Sequence, residues 1–139
     1  MRETKYSIKL RCGTTLRFYE INGGKFLSSI EGANNDYNGC FYNCIAYWLN
    51  EYDPRNTVDP FALKLQSVSY DGYVIGEMAG NQVMLNIAYD FKVKFFYYLC
   101  HDNKGIPHCY KTLQYGDDDF VTIGHIAVYN SHCYVLISS

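Results

Sequence analysis

At Cys40 the spacing of apolar residues changes from two to three and four, and this change constrains the fold more than any other feature of the chain. Upstream, KYSIKL and TTLRFYEI alternate polar and apolar side chains around CGTT, the period of a half-buried β-hairpin. Downstream, Phe41, Cys44, Ile45, Trp48 and Leu49 line one face of a helix that runs to about Tyr52, with Pro54 just beyond its end. Each pattern leaves one apolar side to cover, so helices and sheet are expected to pack on each other.

The rest of the chain follows from the same periods. GGKFLSSI is expected to add a short strand, and EGANNDYNG reads as a loop of turn formers. In VDPFALKLQS, Asp59 is placed as an N-cap with Pro60 in the first helical position, so a short helix follows. GEMAGNQVMLNIAYDF is expected to form another helix, with Met78, Val83, Met84, Ile87 and Ala88 on its apolar side. KVKFFYYLC reads as a strand and HDNKGIPH as a loop. FVTIGHIAVYN and CYVLIS read as closing strands joined at Asn130 and Ser131. The expected class is α+β, with N-terminal helices packed on a C-terminal antiparallel sheet. Residues 1–139 are expected to form one compact domain, long enough to bury roughly two thirds of its unfolded surface.

Composition removes several function classes. The formal charge is −2, so no broad basic surface is available and nucleic acid is not an expected partner. No apolar run approaches the roughly 20 residues that span a bilayer. MRETKYSIKL has no apolar export core, so the chain is read as cytoplasmic and its six cysteines as reduced. Fifteen tyrosines and eight phenylalanines suit both a small core and a protein-binding face.

Cys40 lies where the Asn-rich loop NNDYNG meets the helix. Unpaired amides and the positive end of the helix dipole favour thiolate there. The dipole contributes at most about 2 kcal/mol, which lowers a thiol pKa by only about one unit. A reactive Cys40 therefore needs a histidine partner. Two histidines lie on the closing strands. His125 is preferred because Gly124 before it admits a close backbone approach, and His132 is the alternative. The same amides can hold an oxyanion, and Asn34, Asn35 and Asn38 are near in sequence. Asp36 or Asn35 is the candidate to orient the imidazole, and a bare Cys–His dyad is also compatible. Cys44, one turn on, reads as core. Cys100, His101, His108 and Cys109 carry the donor types of a zinc site or a disulfide. Neighbouring strand residues face opposite ways, however, so no metal or cofactor is expected.

GCFYNCIAYWL resembles the nucleophile helix of viral papain-like cysteine proteases and deubiquitinases. It is similar to picornaviral leader proteases, to nidoviral papain-like proteases and to ovarian-tumour (OTU) deubiquitinases, with Ile45 and Ala46 filling a hydrophobic–small pair. GHIAVY and CYVLI resemble the histidine-bearing hairpin of the papain fold, and His132 also aligns with the strand-turn-His ending of OTU domains. Tyr37 stands where OTU domains carry an aspartate, and no acid follows CYVLISS. The resemblance implies a papain-like fold with Cys40 as nucleophile and Asn35 as an oxyanion donor. It also implies cleavage after small residues or Gly-Gly, deubiquitination and polyprotein processing. Its partners would be ubiquitin or a ubiquitin-like modifier and a polyprotein peptide, bound by a monomer. A non-catalytic ubiquitin-binding module of the same fold is the alternative, and a cell-wall amidase a third.

Overall fold

The computed structural model describes residues 1–68 and 75–139. Six strands form one sheet: β1 (Arg2–Lys9), β2 (Thr15–Glu20), β3 (Val93–Asn103), β4 (Ile106–Tyr115), β5 (Val121–Tyr129) and β6 (His132–Ser138). Among the described residues three α-helices stand between β2 and β3: α1 (Cys40–Tyr52), α2 (Pro60–Ser67) and α3 (Asn81–Phe91). The class is α+β. The sheet order is β1-β2-β6-β5-β3-β4, and β1 also approaches β4, so the sheet curls.

Two features differ from the expected sheet. The N-terminal hairpin joins it, because β2 pairs with β6 from Leu16 opposite Ser138 to Tyr19 opposite Val135. Pairing is also mixed, since β3 and β5 run parallel while every other neighbouring pair is antiparallel.

Alternation along the strands feeds two cores. Phe95, Tyr97, Ile126, Cys133 and Val135 face the helices, where they meet Phe41, Cys44, Ile45 and Leu49 of α1. Tyr98, Ala127, Tyr129, Tyr134 and Leu136 face the other way, into the curl, with Ile8, Leu16 and Phe18. Phe41, Ile45 and Leu49 are buried, and each such side chain contributes about 1.5–3 kcal/mol. This anchors α1 as a rigid platform for its first residue.

Several local expectations change for identifiable reasons. GGKFLSSI forms no strand, because the Asn43 side chain takes its backbone groups instead. Asn43 accepts from the Leu27 amide at 2.9 Å and donates to the Lys25 carbonyl at 2.7 Å. HDNKGIPH is not a loop but the tip of the β3–β4 hairpin, which turns on Lys104 and Gly105 alone, both with positive φ. Pro107 is tolerated there because β4 is the last strand in the sheet order. Met78 precedes α3 and is exposed. Asp59 caps α2 as expected, accepting from the Phe61 and Ala62 amides, each at 3.0 Å. None of the described helices is long and apolar enough to cross a membrane.

The loop before Cys40 is clamped from below. Asp36 is 2 % exposed and pairs with the fully buried Lys64 ammonium at 2.9 Å. Asp36 also accepts from the Gly76 amide at 2.5 Å, and Asn38 donates to the Gly76 carbonyl at 2.5 Å. At Gly39 a Cβ would lie 2.9 Å from the Phe26 ring, so only glycine lets the loop pass into α1.

Gly124 has a different role from the one its position suggested. A Cβ there would lie 2.1 Å from the Trp48 ring, whose indole N–H donates to the His125 carbonyl at 2.9 Å. The glycine makes room for an indole, not for another backbone. Gly124→Ala is expected to cost about 1–3 kcal/mol through overpacking, read as a lowered midpoint in urea unfolding with m unchanged.

Candidate functional site

Cys40 is the first residue of α1, and no side chain caps that helix end, so its opening amides face the sulfur's surroundings. Although 95 % buried, the thiol is pulled down to about 4. The largest cause is a hydrogen bond from the Cys133 thiol. A hydrogen bond with the His132 ring, the Cys133 backbone amide and the imidazole charge act the same way, and burial opposes them. Cys133 is itself pushed up, by its contact with Cys40 and by burial, so it stays a thiol and donates. Behind it the Tyr97 hydroxyl lies 3.5 Å from the Cys133 sulfur.

His132 opens β6. Its pKa is raised, first by the hydrogen bond with Cys40 and further by the negative charges of Cys40 and Glu20, against burial. Both shifts run in the direction that favours a thiolate beside a protonated imidazole. The ring packs edge-on against Tyr134, with centroids 4.8 Å apart. Its Nε2 is buried, has no hydrogen-bond partner among the described residues and lies 3.9 Å from Glu20 Oε1.

His125 is not brought to Cys40. It sits four residues from the β5 partner of His132, about 13 Å along the strand. It is paired with Leu136, on the sheet face turned away from α1. There its Nδ1 bonds the Tyr98 hydroxyl at 2.8 Å and its ring stacks on Phe96. Burial lowers its pKa.

Asn35 ends a short 3-10 turn (Ala33–Asn35) and is exposed. Among the described residues no hydrogen bond joins its side chain to Cys40. Asp36 is held by Lys64 and Gly76, away from either histidine. Cys44 is fully buried and its thiol is pushed up by burial, the signature of an inert core cysteine.

Cys100 faces Cys109, and His101 faces His108, as direct cross-strand partners. The cysteines pack on the inner cluster while both histidines are exposed, so the four side chains do not converge. Among the described residues no group of three or more His, Cys, Asp and Glu side chains is placed to hold a metal.

Two residues of this site escaped the sequence. Glu20 closes an alternating strand near the N-terminus, and its only local signal is a carboxylate ending that strand. Cys133 is a neighbour of a candidate histidine, but its contact with Cys40 depends on how β6 meets α1.

Comparison with solved structures places this arrangement among known folds. The OTU protease of Dera Ghazi Khan virus superposes with a TM-score of 0.58 at 10% identity, covering 99% of this chain and 88% of that one. The Hazara virus OTU, solved bound to ubiquitin, gives 0.58 at 10% identity, covering 99% and 89%. The Taggert virus OTU protease gives 0.52 at 14% identity, covering 99% and 94%. The chain has the viral OTU protease fold. No sequence-family model matches it, and no curated protein matches it. Within this fold Cys40 opens α1 and His132 opens β6, and each shifts the other's ionisation.

Proposed function

We propose that the protein is an OTU-type thiol hydrolase of the papain-like kind that removes ubiquitin or a ubiquitin-like modifier. Cys40 is the nucleophile, His132 the proton carrier and Glu20 the residue that orients the imidazole. The observation that carries this reading is the Cys40 thiol at the uncapped start of α1 in an OTU-type fold, its ionisation favoured by His132 and Cys133.

The chemistry follows from that pair. The thiolate attacks the carbonyl of a peptide or isopeptide bond. The oxyanion that forms is held by the opening amides of α1, with Asn35 closing from the exposed side of the loop. The imidazolium protonates the leaving amine, and a thioester remains on Cys40. The neutral imidazole then takes a proton from water, which hydrolyses the thioester and restores the ion pair.

The substrate side of the reading rests on fold likeness to OTU proteases, one of them solved with ubiquitin. A carbonyl that follows Gly-Gly suits a thiol as enclosed as Cys40, since glycine brings no side chain into the approach. Processing of a viral polyprotein, in the host cytoplasm and by a monomer, belongs to the same reading.

An electrophilic ubiquitin probe tests it. The wild type is expected to form a covalent adduct and Cys40→Ala none; a wild type that remains unlabelled and cleaves no ubiquitin chain would mark a binding module instead. The pH profile of kcat/KM supplies a second check. Cys40 ionises at about 4, below the ordinary thiol, so activity rises through that region. His132 keeps its proton beyond the ordinary 6.5, so activity falls only above that value. A profile rising instead near pH 8 would mean an ordinary thiol and no preformed ion pair.

A further inference from the structure

We propose that Arg2 is a positioning residue that holds the Glu20 carboxylate short of His132, so that Glu20 closes on Nε2 only when Arg2 releases it. The proposal rests on the reading of His132 and Glu20 given above.

The register of the N-terminal hairpin sets Arg2 directly opposite Glu20. The Arg2 guanidinium binds Glu20 Oε2. The other oxygen, Oε1, is left facing His132 Nε2 at 3.9 Å, beyond the roughly 2.7–3.2 Å of an N–H···O bond. Nε2 is buried and, among the described residues, has no hydrogen-bond partner. A buried ring nitrogen left unmatched is costly, and a carboxylate poised less than about 1.5 Å too far is the group that would satisfy it.

Exposure decides which contact yields. The Arg2 side chain is 74% exposed and that of Glu20 22%, so their pair is open to solvent and salt, whereas the His132 side is shielded. An open cleft of about 380 Å³ lined by Arg2, Lys5, Tyr6, Glu20 and Tyr134 gives the guanidinium room to swing away. The groups facing His132 are Cys40 from α1, Glu20 from β2 with Arg2 of β1 behind it, Tyr129 opposite on β5, and Tyr134 of its own strand. Arg2 is thus the cation that competes with the imidazolium for this carboxylate.

The test is an NMR titration of the His132 imidazole in full-length Cys40→Ala protein, which reads the contact without needing turnover. Arg2→Met is expected to raise the His132 midpoint by about half a pH unit, because Glu20 is freed to pair. Arg2→Lys keeps the wild-type value. Glu20→Gln lowers the midpoint, and adding Arg2→Met to Glu20→Gln changes nothing further. Raising salt from about 0.05 to about 0.5 M moves the Arg2-containing protein toward the Arg2→Met value and leaves Arg2→Met nearly unmoved. An Arg2→Met midpoint that stays put overturns the proposal. So does a midpoint that does not fall with Glu20→Gln, or an Arg2→Met shift that persists without the Glu20 carboxylate. Failure of the ubiquitin probe to label Cys40 would remove the hydrolase reading while leaving this titration interpretable.

Discussion

His132→Ala is expected to lower kcat/KM on a ubiquitin-amide substrate by about 10²–10⁴-fold, whereas His125→Ala leaves it within about threefold. The difference follows from which imidazole interacts with the Cys40 thiol. Without His132, Cys40 loses a hydrogen bond and the neighbouring positive charge, and the leaving amine loses its proton donor. The Cys133 thiol and amide remain, so the sulfur is expected to keep some thiolate character, and iodoacetamide labelling should slow less than turnover does. His125 instead bonds Tyr98 and stacks on Phe96. Its loss is expected to cost about 1 kcal/mol of stability and little chemistry. Parallel kcat/KM measurements decide the matter. A larger loss in His125→Ala than in His132→Ala would overturn the assignment.

Lys64→Met is expected to destabilise the fold by about 3–5 kcal/mol, or about 10–20 °C in Tm. Lys64 is fully buried, and its ammonium lies 2.9 and 3.1 Å from the two Asp36 oxygens. Removing it leaves a 2 %-exposed carboxylate without that cation. Breaking one side of such a pair costs far more than the pair contributes when intact. Asp36→Asn/Lys64→Met is expected to recover most of the loss, since an asparagine still accepts from the Gly76 amide while carrying no charge. Thermal unfolding of the three proteins checks this. A single variant melting within about 3 °C of the wild type would show that the loop does not depend on the pair. Because Asp36 and Asn38 hold the turn that leads into α1, the single variant is also expected to lose activity before it unfolds.

What could be read without coordinates is what depends on neighbours in the chain. The α1 stripe, the Asp59 cap with Pro60 and the Asn130–Ser131 turn are each specified within a few residues. So is the placement of Cys40 at the uncapped start of α1. Where short-range signals conflicted, the reading failed. The polar run HDNKGIPH masked a continuous hairpin, and the apolar run in GGKFLSSI suggested a strand that Asn43 prevents.

Only the tertiary structure decided what stands opposite Cys40. The two closing strands carry one histidine each, and the chain alone does not say which end of the ribbon meets α1. Pairing β5 with β6 places His132 at that end and leaves His125 four residues further along β5, where it bonds Tyr98. Pairing β2 with β6 then brings Glu20, more than a hundred residues away in sequence, to within 3.9 Å of the ring. Local periodicity specifies elements because its interactions span one turn or one strand repeat. Strand register is set by the sum of contacts over the whole sheet, and no window of sequence contains that sum.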